Sequence, residues 1–186
     1  MKKAAVFFAD GFEEVEALTP VDMLRRAGVE VTMVAMLGKT AVTGSHGITV
    51  KADILFEDAD FDDTDLFVLP GGMPGTTHLK ESEPLLELLV KAAGDGKLVS
   101  AICAAPTVLG KAGLLKGRTA TCYPGCEDGL TGAVLSTESV VVDGNIVTSR
   151  GAGTAMPFSF KLIELLLGAG KSADMKKKVV YGHCKA

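Results

Sequence analysis

The chain contains no tryptophan and only two tyrosines, and aromatics make up 5% of it. Phenylalanine, with eight copies, is the main aromatic. A core of this composition rests on alanine, valine and leucine. Basic residues are not in excess: 19 Lys and Arg face 23 Asp and Glu, for a net charge of −4. That excludes the basic face of a nucleic-acid binder. No apolar run approaches the ~18–20 residues of a membrane span, so no membrane partner is expected. Met1-Lys2-Lys3 leads into Ala4–Ala9, too short for a signal-peptide core, and Asp10 follows at once. A cytoplasmic location is therefore expected. Four cysteines in 186 residues do not make a disulfide scaffold, and free thiols are expected. Three histidines complete a short inventory of reactive side chains.

What is present is the material of one ordinary domain, expected to span residues 1–186 without repeats or linkers. A chain of this size buries roughly 70% of its unfolded surface, enough for a core without staples. Lys3–Ala9, Glu30–Met36, Leu66–Leu69 and Leu98–Ile102 are short apolar runs that read as buried strands. Helical patterns follow at Glu13–Ala27, Pro84–Ala93, Thr107–Ala112, Ala155–Leu167 and Ser172–Tyr181. Pro20 predicts a kink or restart in the first helix, and Gly28 a C-cap. Ala41–Lys51, with Gly44 and Gly47, reads as a hairpin, and Asp58–Asp65 as an acidic loop. Arg118–Cys122 reads as a strand, and Ser139–Ser149 as a hairpin turning at Asp143-Gly144. Strands alternating with helices predict an α/β fold with a mostly parallel sheet. Ligands of such folds bind beyond the carboxyl ends of the strands. Three breaks fall there: Asp10-Gly11, the Pro70–Gly75 loop, and Ile102-Cys103-Ala104.

Each break carries two readings. Ala101-Ile102-Cys103-Ala104-Ala105 passes from strand to helix with alanine two residues before and two after the cysteine. Small residues suit a sharp elbow, and a thiol at a helix N-terminus has a lowered pKa. Against that, free cysteine often simply fills a core. Glu13 and Glu16, three apart, share one helix face. Either they compensate the helix dipole, or one points at the cysteine. Glu14, between them, is expected to face solvent. The Gly71-Gly72 pair is either a tight turn or, with the Gly72 and Ala104 amides, an oxyanion hole. It is neither a P-loop nor a dinucleotide fingerprint, so no cofactor is expected.

Taken together, Ala9-Asp10-Gly11-Phe12-Glu13-Glu14-Val15-Glu16, Pro20-Val21-Asp22, Arg25-Arg26-Ala27-Gly28, Val68-Leu69-Pro70-Gly71-Gly72, Ala101-Ile102-Cys103-Ala104-Ala105-Pro106 and Thr148-Ser149-Arg150-Gly151-Ala152-Gly153-Thr154 resemble the ThiJ/PfpI family. The branch they fit is that of the parkinsonism-associated protein deglycase, with this chain as a bacterial homologue. The resemblance implies a flavodoxin-like three-layer sandwich with a nucleophile elbow at Cys103, in a single domain of the class I glutamine amidotransferase type. It implies Glu16 as the carboxyl touching the thiol, Glu13 as a second acid near the site, Gly72 and Ala104 as amide donors, Arg150 at a structural position, and a homodimer. It implies glutathione-independent glyoxalase or deglycase chemistry on reactive carbonyls such as methylglyoxal. Redox sensing in the oxidative stress response, chaperone behaviour and, in one branch, proteolysis are the alternatives.

The chain departs from its relatives in its histidines. Tyr123 stands before Pro124 where many relatives carry His, and Ala104 follows the cysteine where the protease-like branch has His. Neither His46, His78 nor His183 lies on either motif, which leaves a Cys–His dyad and peptidase or amidohydrolase chemistry without support. His46 is either a contact to the partner subunit's site or an exposed loop residue. Cys122 and Cys126 lack two further ligands for a metal site. They are either small residues at a strand end or a disulfide or resolving pair near Cys103. Cys184 beside His183 reads as a bystander, and Lys176–Lys178 as a solvated helix face.

Overall fold

The computed structural model describes residues 1–182. His183 and Cys184 lie outside the described residues. The chain folds as β1 (Lys3–Phe8), α1 (Glu14–Ala27), β2 (Glu30–Ala35), β3 (Ala41–Thr43), β4 (Thr49–Lys51), β5 (Ile54–Leu55), β6 (Leu66–Leu69), α2 (Gly75–Glu81), α3 (Glu83–Gly94), β7 (Leu98–Ile102), α4 (Pro106–Lys111), β8 (Thr119–Ala120), β9 (Val134–Leu135), β10 (Val140–Asp143), β11 (Ile146–Ser149), α5 (Ala155–Leu167) and α6 (Ala169–Lys178).

Seven strands form one sheet in the order β10-β11-β7-β6-β1-β2-β5. Every neighbouring pair is parallel except the β10–β11 hairpin. The central strands are apolar throughout because both faces are covered; β6 is buried at all four positions. One face is covered by α1, α5 and α6, whose Leu24, Phe158, Phe160 and Met175 join Val6, Phe8 and Val68. The other is covered by α2, α3 and α4, where Leu79, Leu85, Leu89 and Val108 join Phe7, Phe67 and Leu69. This is an α/β fold, a mixed and mostly parallel sheet flanked by helices.

The order reverses between β1 and β6: β2 and β5 lie to one side, β7 and β11 to the other. A crevice opens at such a switch point, beyond the carboxyl ends of the strands. The adjacent strands β1, β6 and β7 end in Asp10-Gly11, Pro70-Gly71-Gly72 and Cys103, so the sheet brings the three breaks together.

Some details differ from the sequence reading. α1 runs without a restart through Pro20, which is buried inside it. The proline removes one backbone bond, while Ala17, Val21 and Leu24 bury the same face on both sides of it and hold the helix. Only Thr119–Ala120 of the Arg118–Cys122 run is strand, paired with β9 in a separate two-stranded ribbon. β5 and α2 have no clear sequence signal; one is two residues long, and the other begins directly behind Pro74. In the β10–β11 hairpin Asp143 pairs with Ile146, so Gly144 (φ +60°) and Asn145 make the turn, one residue beyond Asp143-Gly144. Lys176–Lys178 are exposed.

Candidate active site

Cys103 leaves β7 with φ +67°, a left-handed conformation costly for a residue with a Cβ. The turn is clamped from outside. The Cys103 N–H donates to the Ser149 carbonyl at 2.9 Å, and its carbonyl accepts the Tyr123 N–H at 2.8 Å. Ala101 and Ala105, on either side of the elbow, are fully buried. The thiol itself is half-buried.

Glu16, in the first turn of α1, is 1% exposed. Its carboxyl accepts the Gly71 N–H at 3.0 Å and the Cys103 thiol proton. The Gly71 carbonyl in turn accepts the Glu13 N–H at 2.9 Å. The loop after β6 and the start of α1 are thus bound reciprocally. Gly71 admits no side chain: a Cβ there would lie 2.6 Å from Glu16 Oε2 and 2.7 Å from the Cys103 Cβ.

Burial raises the Glu16 carboxyl to about 7, opposed by hydrogen bonds from Cys103 and Gly71 and aided by the Glu13 charge. Burial also pushes the Cys103 thiol up, and the Glu16 charge adds to this. The sequence reading expected the opposite shift, from a helix dipole. That helix, α4, is six residues long and starts at Pro106, beyond the turn that holds the thiol. Only the Ala104 N–H pulls the thiol down, and it is outweighed. The thiol therefore holds its proton near neutrality, while the carboxyl titrates there.

Gly72 has φ +90°, and a Cβ there would collide with the Gly11–Glu13 backbone. Among the described residues nothing accepts its N–H. The Ala104 N–H faces the sulfur.

Glu13 is partly buried and reaches the β3–β4 hairpin. It accepts the Ser45 hydroxyl at 3.1 Å and lies 3.4 Å from His46 Nδ1. Glu14 does not face solvent. It is 5% exposed and receives the hairpin, accepting the His46 N–H at 2.8 Å, His46 Nδ1 at 2.9 Å and the Ile48 N–H at 3.4 Å. Burial works against this carboxylate, but the His46 ring and the backbone donors bring it to about 2. The Glu14 hydrogen bond and the Glu13 and Glu14 charges raise His46. Sequence reading missed Glu14 because its partners lie more than thirty positions away; the residue pattern Ser45-His46 opposite an acidic helix start was the available signal.

Tyr123 is exposed, with its ring edge 3.3 Å from where a Gly151 Cβ would stand, and Glu16 Oε1 lies 3.9 Å from that same point. Cys122 is buried, whereas Cys126 is half-buried in the loop behind Tyr123. Arg150 bonds through its N–H to the Ser139 carbonyl at 3.3 Å.

A model of the DJ-1/PfpI family matches residues 2–165. The chain is 38% identical over 184 residues to protein dj-1beta of Drosophila melanogaster, covering 98% of both chains. It is 42% identical to DJ-1 homolog B of Arabidopsis thaliana, aligning 96% of its own length with 41% of that protein. It is 37% identical to a deglycase of Pyrococcus abyssi, over 88% of this chain and 99% of that one. The oxidized DJ-1 of Toxoplasma gondii superposes with a TM-score of 0.94 at 36% identity, over 98% of this chain and all of that one. On fold, sequence and the order of its motifs, the chain belongs to the DJ-1/PfpI family.

Proposed function

We propose that the chain is a cytoplasmic, cofactor-free cysteine enzyme for small reactive carbonyls, of the glutathione-independent glyoxalase or deglycase type. The observation that carries this reading is the pairing of a thiol on a left-handed elbow with a buried carboxyl whose pKa is about 7. Such a carboxyl changes protonation easily at neutral pH, as a proton shuttle must. The relative named as a deglycase points to the same substrate class.

In this mechanism Glu16, as carboxylate, takes the thiol proton while Cys103 Sγ attacks the aldehyde carbon of methylglyoxal. A C–S bond forms, and the carbonyl electron pair moves to oxygen. The Gly72 and Ala104 N–H groups hold that oxyanion until Glu16 returns the proton. Glu16, again a carboxylate, takes the former aldehyde hydrogen as a proton to give an enediol, and delivers it to the neighbouring carbon to give a thioester. Water then cleaves the C–S bond, releasing a hydroxy acid and the thiol. Glu13 tunes Glu16 through its charge.

The test is methylglyoxal loss without glutathione. Cys103→Ser is expected to fall to background; turnover equal to wild type overturns the reading. A homodimer is proposed with it. Val15 on α1 and Ile48 on the hairpin that Glu14 ties to α1 expose about half of their surface, an apolar pair suited to a second copy.

The half-buried thiol also favours a second reading, a redox-sensing stress protein. Clean oxidation of Cys103 by mild peroxide in a chain without aldehyde turnover would select it.

A further inference from the structure

The sequence offers Cys122 and Cys126 as equivalent neighbours of the elbow, and the fold separates them. Cys122 follows β8 and is 3% exposed, a buried member of the core cluster on the α2–α4 face of the sheet. Cys126 is half-buried and opens onto a cleft of about 250 Å³ beside the elbow, whose walls include Ala104, Thr107, Met73 and Lys80. The backbone leads directly from one thiol-bearing residue to the other. The Tyr123 N–H donates to the Cys103 carbonyl at 2.8 Å, and the Cys126 N–H donates to the Tyr123 carbonyl at 3.0 Å.

We propose that Cys126 is a resolving thiol, which closes a reversible disulfide with Cys103 after a hydroperoxide has oxidised it. This rests on the reactive Cys103 of the proposed function and adds a covalent state to it. Cys126 lies in an irregular segment, with Gly125 at φ +94° before it and only the short Glu127–Gly129 turn after it. A disulfide needs Cα atoms within about 7 Å, and the two-step backbone relay through Tyr123 holds the two residues close to one another. The Cys126 thiol lies near enough for its charge to act on the Cys103 thiol. Burial and the Glu127 charge push the Cys126 thiol up, opposed by the Lys80 ammonium in the same cleft.

The chemistry balances in two steps. Cys103 Sγ attacks the outer peroxide oxygen while Glu16 takes the thiol proton and passes it to the departing oxygen. An S–O bond forms, the O–O bond breaks, and the sulfur loses two electrons to the peroxide, which leaves as water or an alcohol. The Cys126 thiolate then attacks the sulfenic sulfur. An S–S bond forms, the S–O bond breaks, and hydroxide leaves as water. Two thiols and one hydroperoxide thus become one disulfide and two molecules of water, or water and an alcohol.

The experiment treats the full chain with one equivalent of hydrogen peroxide, then maps thiols by mass spectrometry of a non-reducing digest. The expected product is lighter by two hydrogens, joins the Cys103 and Cys126 peptides, and returns to two thiols with dithiothreitol. Cys122→Ser is expected to form the same link. Cys126→Ser, given a second equivalent of peroxide, is expected to gain two oxygens at Cys103, which dithiothreitol does not remove. Wild-type protein that gains oxygen at Cys103 without a link, or links Cys103 to Cys122, overturns the inference alone. Failure of Cys103 to react with either peroxide or iodoacetamide overturns the reactive-thiol reading as well.

Discussion

The Gly71 N–H donates to the Glu16 carboxyl at 3.0 Å, across 55 positions of sequence. This bond joins the loop after the fourth strand from the sheet edge to the first helix. It also aims the carboxyl at Cys103. A glycine is required there because the space for a Cβ is taken by the carboxyl and the cysteine.

Gly71→Ala is therefore expected to displace Glu16 or the elbow. Overpacking of this kind costs about 2 kcal/mol. Glyoxalase activity should fall at least tenfold, with a lower thermal midpoint. A variant with wild-type activity and midpoint would show that the loop yields without disturbing the site.

Glu16 acts as a base only when ionised, and its pKa of about 7 puts that change at neutrality. The rate constant kcat/KM should rise with pH through about 7. Glu16→Gln should lose the rise and about 10²-fold of the rate, the usual worth of a positioned base. A pH–rate profile for both proteins checks this. An unchanged profile in the variant would assign the titration to another group.

The Glu14–His46 clasp has a defined pH window. Glu14 is lowered from 4.5 to about 2, so its stabilisation is complete above 4.5 and is lost as pH falls through 2. His46 is raised from 6.5, so its stabilisation is complete below 6.5 and is lost as pH rises through the folded value. The two overlap fully between 4.5 and 6.5. His46→Ala should lower the thermal midpoint most in that window and least well above the folded value of His46, where the ring is neutral in both states. Melting curves across pH measure it; an equal deficit at all pH values would point to packing instead of charge.

Val15→Asp is expected to convert the proposed dimer to a monomer, because a carboxylate at the centre of an apolar contact is left unpaired. Sedimentation measures the change. A wild-type chain that is monomeric at micromolar concentration would remove the dimer from the account.

Much of the fold was legible because its signals are local. β6, β7 and α5 lie where their apolar runs end, since Gly and Pro stop a buried strand and an apolar stripe defines a helix. Cys103 stood out for the same reason, between small residues at a strand-to-helix break. Motif order carried the family resemblance. What the tertiary structure decided is everything that depends on approach across the sheet. Glu14 reads as an exposed acid until the hairpin folds over it and supplies its donors. Cys122 and Cys126 read alike until one is buried in the core and the other opens onto the cleft. The thiol's shift reversed sign because a short helix beginning beyond it contributes less than burial beside a carboxylate. The residue types capable of chemistry are written in the chain; burial and long-range hydrogen bonds set their protonation and their partners.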